Sequence, residues 1–142
     1  MRQLARLGLA LPMAAALAFS AITIASADNG VDVSVEPTAT LTAKVEVTAT
    51  VNATCPNGWY TMVDNVSVEQ AVGKEVAHGS GYIPGVQCTG VTQTIPVQIL
   101  ADSTGPHFKN GTAIVSANLF ACGYTGTYIC ASASVSTPVK LK

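Results

Sequence analysis

The chain has 142 residues, of which 49% are hydrophobic and 11% are charged, and its formal net charge at pH 7 is −1. Both arginines lie at the start of the chain, and after residue 27 five lysines face eight carboxylate side chains, a formal charge of −3. This balance argues against a basic surface for nucleic acid or for an anionic membrane. The length allows one domain with a single modest core.

The first 27 residues have the pattern of a secretory signal. The two arginines precede an apolar stretch over residues 7–24, and Ala25-Ser26-Ala27 offers the small residues that signal peptidase accepts. The pattern predicts a signal peptide helix over residues 1–27 that is removed on secretion. An uncleaved membrane anchor is the alternative, but the stretch contains Pro12 and barely reaches the roughly 20 apolar residues of a spanning helix.

A long alternating pattern follows a short polar lead over residues 28–40. The lead contains a candidate strand over residues 31–35, which Pro37 ends. From Leu41 to Cys55 apolar and polar residues alternate without a break, the period of a strand with one face on a core and the other in water. This predicts the first long strand of a domain over residues 41–142.

Turn residues divide the middle of the chain into further strands. Cys55-Pro56-Asn57-Gly58 predicts a turn, and alternation resumes over Trp59–Val72 with a bend or bulge at Asp64-Asn65. Gly73-Lys74 predicts the next turn. A weaker strand pair is expected over residues 74–88, because glycine and proline interrupt that segment.

The last third of the chain predicts three more strands. Apolar residues alternate over Val91–Ile99, where Pro96 indicates an edge strand or a bulge. Residues 102–111 form the longest irregular loop, and odd-numbered apolar residues over 113–121 and 129–135 predict two strands with buried faces. About seven strands without helical periodicity predict an all-β fold, an immunoglobulin-like antiparallel β-sandwich with two disulfides.

The four cysteines are expected to form two disulfides, because an exported chain meets an oxidising environment. Cys122 and Cys130 are symmetric about Gly126, and a hairpin centred there places them directly opposite each other, at a Cα separation of roughly 5.5 Å. This register favours Cys122–Cys130 and therefore Cys55–Cys88. The alternative, a core bridge Cys55–Cys122 like that of antibody domains, needs Cys122 to face inward against the parity of its strand.

Several short motifs follow one another along the chain after the signal. They are Cys55, Trp59, Gln70, Gly79-Ser80-Gly81, Val86-Gln87-Cys88-Thr89-Gly90, Phe108, Gly111-Thr112-Ala113, Ala117, Cys122 and Cys130. In this order they resemble a family of small secreted actinobacterial (Streptomyces-like) proteins of unknown function. The resemblance covers nearly the whole chain after the signal, and it implies an immunoglobulin-like fold and export but no catalytic or binding residue. Secreted apoproteins of enediyne chromophores and secreted subtilisin inhibitors are similar in size and disulfide number, but their first two cysteines are closer than the 33 residues found here.

No residue pattern predicts a catalytic, cofactor or metal site. Ser80 lies between glycines and close to His78, but a nucleophile elbow needs a strand-to-helix turn that the sequence does not predict. Asp102, Ser103 and His107 share a loop whose polar composition explains them. The cysteines lack the spacing of a zinc site. The protein is predicted not to be an enzyme.

The candidate binding surface consists of Tyr124, Tyr128, His107 and Phe108, at the tip around Gly126 and in the loop 102–111. Sandwich loops commonly carry recognition, and exposed aromatic rings stack on sugars or partner proteins. These residues predict a secreted, non-enzymatic binding or surface-associated domain. The expected partner is an extracellular protein, a glycan or a small molecule, with no nucleic acid and no membrane after signal cleavage. A carrier of a small apolar molecule and an inhibitor of an extracellular protease are the alternatives.

Overall fold

The computed structural model describes residues 29–142, so the predicted signal peptide lies outside the described residues. Within this range there are seven strands, and no helix there is long and apolar enough to cross a membrane. The strands are β1 (Asp32–Thr42), β2 (Glu46–Thr54), β3 (Tyr60–Val72), β4 (Glu75–Tyr82), β5 (Gln93–Ala101), β6 (Gly111–Tyr124) and β7 (Tyr128–Leu141).

The strands close into a barrel in the order β1-β2-β5-β4-β3-β6-β7. Two of the strand pairings that close the barrel are short. β4 and β5 share two residue pairs, and β1 and β7 share two pairs in parallel orientation. The prediction of an all-β domain with two disulfides is confirmed. The ladder closes into a barrel, however, and does not separate into the two sheets of the predicted sandwich, because β1 pairs with both β2 and β7 and β4 pairs with both β3 and β5.

The prediction of one continuous strand over residues 41–55 is wrong at its start. Ala43 and Lys44 have φ angles of 49° and 62°, so the chain turns there, and β2 begins only at Glu46. Leu41 belongs to β1 and lies opposite Val47. Two residues without a strong turn preference adopt the left-handed conformation, and the alternation therefore runs through a turn that composition does not mark.

Strand β1 occupies most of the segment predicted as a polar lead. It continues past Pro37 to Thr42, and its pairing with β2 shifts between Val35 and Ala39. Proline has no amide hydrogen for a ladder, so a shift at this point lets the strand pass it. Val31 and Val33 are buried in the core.

The interior of the barrel is filled by the inward faces of the strands. The predicted odd-numbered residues of β6 and β7 are buried from Ala113 to Ala121 and from Ala131 to Val135, whereas Ile129 is partly exposed. Trp59 is also buried, and any side chain at Gly123 would overlap its indole ring. The largest fully buried side chains are Phe108, Ile83, Ile99, Leu119 and Leu141.

The barrel has two ends that differ in how they are held. The disulfide end contains the connections 55–59, 83–92 and 125–127 together with both disulfides. The loop end contains the turns 43–45 and 73–74 and the loop 102–110. Strand β6 has 14 residues, so at about 3.3 Å per residue its two ends lie on the order of 40 Å apart.

Candidate functional site

The hairpin of β6 and β7 has the register that the sequence predicts. Cys122 lies opposite Cys130, and Tyr124 lies opposite Tyr128, with Gly126 at the centre at a φ of 88°. The disulfides are Cys55–Cys88 and Cys122–Cys130, as predicted. The Cα atoms of Cys122 and Cys130 are 4.0 Å apart, closer than the expected 5.5 Å and nearer to the roughly 4.5 Å of the narrower type of antiparallel pair.

Four large side chains stand exposed around this hairpin, and we call them the aromatic patch. Tyr60, Met62, Tyr124 and Tyr128 are 51%, 57%, 74% and 53% exposed. Tyr60 joins the hairpin because β3 pairs with β6 and sets Tyr60 opposite Cys122. Met62 lies where the pairing shifts between Thr61 and Val63, and an extra residue at such a bulge is turned out of the regular alternation.

Close contacts hold the patch in one arrangement. The hydroxyl oxygens of Tyr60 and Tyr128 are 2.7 Å apart and share a hydrogen bond. The Met62 Sδ atom lies 3.3 Å from Cys122 Sγ and 3.9 Å from the Tyr128 hydroxyl. The hydrogen bond that the Tyr128 hydroxyl shares with Tyr60 is the main cause that raises the pKa of Tyr128, because it favours the protonated phenol. The patch therefore consists of tyrosine and methionine side chains, and two of its phenol groups are joined by a hydrogen bond across the strands.

The structure separates the four residues predicted to form one binding surface. Tyr124 and Tyr128 lie at the disulfide end, whereas His107 and Phe108 lie in the loop at the opposite end of β6. Phe108 is fully buried and cannot contact a partner, so its prediction as a surface residue is wrong. His107 is exposed, but it lies too far from the tyrosines to share a small contact surface with them.

Phe108 instead anchors the loop that carries it. Its ring is part of the core, and its amide donates a hydrogen bond of 3.0 Å to the carbonyl of Lys44. Gln70, only 5% exposed, donates to the carbonyl of Lys109 and accepts from the amide of Lys109, each at 2.8 Å. The loop 102–110 is thus fixed to the barrel by one buried ring and one buried amide.

A cleft of about 440 Å³ opens on the outer surface beside the short ladder between β4 and β5. Gly79 faces the Leu100 carbonyl so closely that a Cβ atom would lie 2.7 Å from its oxygen, and Gly81 approaches the Gln98 carbonyl in the same way. The ladder between the two strands contains only the pairs Gly79–Ala101 and Ser80–Leu100. The cleft is lined by Thr48, Ser80, Gly81, Tyr82, Pro84, Pro96, Gln98 and Leu100.

Charge is divided unevenly between the two ends. Each of the five lysines in residues 29–142 lies in a turn, loop or strand end at the loop end, and each is exposed. None of their nitrogen atoms lies within 4.0 Å of a carboxylate of the described residues, where the one ion pair is His78 with Glu69 at 3.6 Å. The aromatic patch lies at the end without lysine. The lysines are Lys44, Lys74, Lys109, Lys140 and Lys142.

The geometry does not assemble a nucleophile with a base. The hydrogen bonds of residues 29–142 include none between Ser80 and His78, and no group of three potential metal ligands forms in that range. Burial raises the pKa of Asp64, but His78 lies opposite Glu69, five residues farther along β3. The chain matches no family model, no curated protein and no solved structure. The candidate sites must therefore be judged from their own chemistry.

Proposed function

We propose that this protein is a secreted, non-enzymatic domain that binds an extracellular partner through the aromatic patch. The export pattern of residues 1–27 supports secretion. The two disulfides are compatible with an extracellular protein. The similarity to small secreted actinobacterial proteins remains a prediction that agrees with this proposal.

The observation that carries the proposal is the exposure of three tyrosines and a methionine on one face of a braced hairpin. Aromatic side chains and methionine are enriched in the centres of protein interfaces, and rings that are held in place lose little freedom on binding. The Tyr60–Tyr128 hydrogen bond and the Cys122–Cys130 disulfide provide that support. The patch is therefore better suited to recognition than the same residues on a flexible loop.

We further propose that the barrel is related to the immunoglobulin-like sandwich. In such sandwiches the first, second and fifth strands share one sheet, and the third, sixth and seventh share the other, with the fourth strand at an edge. The order β1-β2-β5 and β3-β6-β7 agrees with this arrangement, and β4 joins the two groups. By this analogy the patch lies beside connections that recognise antigens in antibody domains.

A binding comparison on cell envelopes tests the proposal. The variant Tyr60→Ser/Tyr124→Ser/Tyr128→Ser removes the rings of the patch, and Val76→Ser/Ile114→Ser removes two exposed apolar residues from outside it. We expect the wild-type protein and the Val76/Ile114 variant to bind to envelopes of the producing cells, and the tyrosine variant to lose at least tenfold in affinity. Sedimentation of the labelled proteins with the envelopes measures this difference.

Two outcomes would contradict the proposal. Equal binding of all three proteins would place recognition outside the patch. Binding that falls equally in both variants would show that any exposed apolar side chain contributes, as in non-specific adhesion. Circular dichroism of each variant confirms that the fold is intact, which is expected because all substituted residues are exposed.

Inhibition of an extracellular protease is the second candidate function, and the fixed loop 102–110 favours it. Protease inhibitors present a rigid segment, since an ordered loop loses less freedom on binding. Phe108 and Gln70 hold this loop without a disulfide, while residues 102–105 and His107 stay exposed. Inhibition by the wild-type protein but not by a protein with Ser103 and His107 replaced by glycine would support this candidate.

The third candidate, a carrier of a small apolar molecule, finds less support. Carriers bury most of the surface of their ligand in an enclosed pocket. The interior of this barrel is occupied by its own side chains, and the cleft between β4 and β5 is on the outer surface. Any small molecule bound in the cleft would remain partly in contact with water.

A further inference from the structure

The cleft between β4 and β5 is built from uncharged groups. Apolar surface comes from Tyr82, Pro84, Pro96 and Leu100, and hydroxyl or amide groups come from Thr48, Ser80 and Gln98. No lining residue carries a charge. A charged ligand would leave water without a partner of opposite charge, so the lining is complementary to a neutral ligand that has both hydroxyl groups and apolar faces.

Tyr82 gives the cleft an open aromatic wall. The residue is 69% exposed, and its hydroxyl has no hydrogen-bond partner among the described residues. An unpaired exposed ring at the edge of a cleft offers one face for stacking, while its hydroxyl is free to bond to a ligand. Gln98, which lies opposite Thr48, adds a donor and an acceptor on the floor.

The backbone argues against an extended peptide as the occupant. The amide of Asp102 points to β4, where it bonds to the His78 carbonyl, whereas the amide of Ala101 points to β2. Because amides alternate in direction along a strand, the nitrogen of Pro96 faces the side of the cleft. It has no hydrogen to donate, so a peptide adding a strand to β5 would lose a ladder bond at this position.

We propose that this cleft binds a short neutral oligosaccharide. Its volume of about 440 Å³ falls within the roughly 300–1,000 Å³ of small-ligand sites. A pyranose ring has an apolar face to stack on Tyr82 and hydroxyl groups for Gln98, Ser80 and Thr48. The inference concerns a second site and does not depend on binding at the aromatic patch.

Calorimetric titration with three neutral hexasaccharides, namely cellohexaose, hexa-N-acetylchitohexaose and maltohexaose, tests the proposal. We expect at least one of them to bind the wild-type protein. Tyr82→Ala should weaken that binding about tenfold, and Tyr82→Phe should retain most of it, since the ring is kept. Val76→Ala is the matched control, because Val76 is an exposed residue of β4 on the same face as Tyr82 but does not line the cleft.

Amide chemical shifts locate the bound sugar. We expect the shifts that change on titration to cluster at residues 80–84 and 96–100, which include most of the cleft. The proposal is overturned if none of the three sugars binds at about 10 mM, beyond the range of weak specific binding. It is also overturned if binding survives Tyr82→Ala unchanged, or if a proline-rich peptide binds these residues and the sugars do not. Each variant replaces an exposed side chain, so circular dichroism of the free proteins should be unchanged.

Discussion

The two ends of the barrel are held by different kinds of interaction. The disulfide end has two covalent bridges and leaves large apolar side chains in water. The loop end has no bridge, and it is held by the ring of Phe108 in the core and by the side-chain amide of Gln70. The first end carries no lysine, and the second carries every lysine of residues 29–142.

This difference shows how a small domain can stay folded while it exposes an aromatic surface. Tyrosine rings that remain in water contribute little to the free energy of folding, so the end that displays them needs another source of stability. Disulfides supply it by restricting the unfolded chain. Each end also buries one aromatic ring, Trp59 at the disulfide end and Phe108 at the loop end, and the lysines provide solubility at the loop end.

Reduction of both disulfides should have the largest effect. By the entropy of loop closure, Cys55–Cys88 contributes about 3.5 kcal/mol and Cys122–Cys130 about 2.5 kcal/mol to the free energy of unfolding. Their combined loss is comparable to the whole stability of many small domains. Urea unfolding with and without a reducing agent measures it. A change below about 1 kcal/mol would show that the disulfide end is held mainly by packing.

Replacement of Phe108 should have the largest effect of any change at the loop end. Phe108→Ala leaves a cavity in the core, and we expect the free energy of unfolding to fall by about 3–5 kcal/mol. Phe108→Leu should cost less, because it fills part of the space. Urea unfolding of the three proteins measures the series. If Phe108→Ala changed stability by less than about 1 kcal/mol, the loop would not be anchored by this ring.

Replacement of Gln70 should loosen the loop without a large change in the core. Gln70→Leu keeps the size of the side chain but removes both hydrogen bonds to Lys109, and we expect a loss of about 1–3 kcal/mol. Hydrogen exchange should speed up at the amide of Lys109 and leave the hairpin of β6 and β7 unchanged. Glu69→Leu, an exposed change next to it, is the control. Unchanged exchange at Lys109 would contradict the role of Gln70.

Removal of the Tyr60 hydroxyl should have the smallest effect, and the titration of Tyr128 at alkaline pH is its readout. The hydrogen bond with Tyr60 raises the pKa of Tyr128, so the folded state holds the Tyr128 proton more tightly than the unfolded state. The resulting stability is complete below the ordinary value of about 10 and is lost as the pH rises through the raised pKa. We expect Tyr60→Phe to lower the pKa of Tyr128.

An absorbance titration of tyrosinate measures this change, with Tyr82→Phe as the control for loss of an exposed hydroxyl. If the two variants titrated alike, the pair would not be coupled in solution. A lower pKa of Tyr128 in Tyr60→Phe alone would show that this hydrogen bond holds the patch at the disulfide end in its observed arrangement.

The pairing of strands that follow each other in the chain was the feature that the sequence predicted best. The hairpin register and its disulfide follow from symmetry about Gly126, because each residue of β6 pairs with its mirror image in β7. The turn at Ala43-Lys44 was not predictable, since neither residue has a marked turn preference. The alternation of apolar residues therefore continued through it.

The site depends on contacts between distant parts of the chain, and these were less predictable. Tyr60 reaches the patch through the pairing of β3 with β6. Met62 points outward because of a bulge between Thr61 and Val63, and the bend or bulge predicted at Asp64-Asn65 was therefore placed too late in the strand. Phe108 lies in a polar loop, where a single apolar residue has no period to show its burial. The glycines of residues 74–88 predicted a weaker strand pair, but that segment contains the single strand β4, and β5 passes Pro96 without a shift in its pairing with β2.

Hydroxyl-radical footprinting of the protein with and without envelopes of the producing cells tests the central claim most directly. Oxidation is read at tyrosine, methionine and histidine, which are present at both ends of the barrel and in the cleft. If the aromatic patch is the binding surface, envelopes should protect Met62, Tyr124 and Tyr128 from oxidation and leave the oxidation of His107 unchanged. Protection of His107 with the patch still oxidised would contradict the claim and place binding at the loop end.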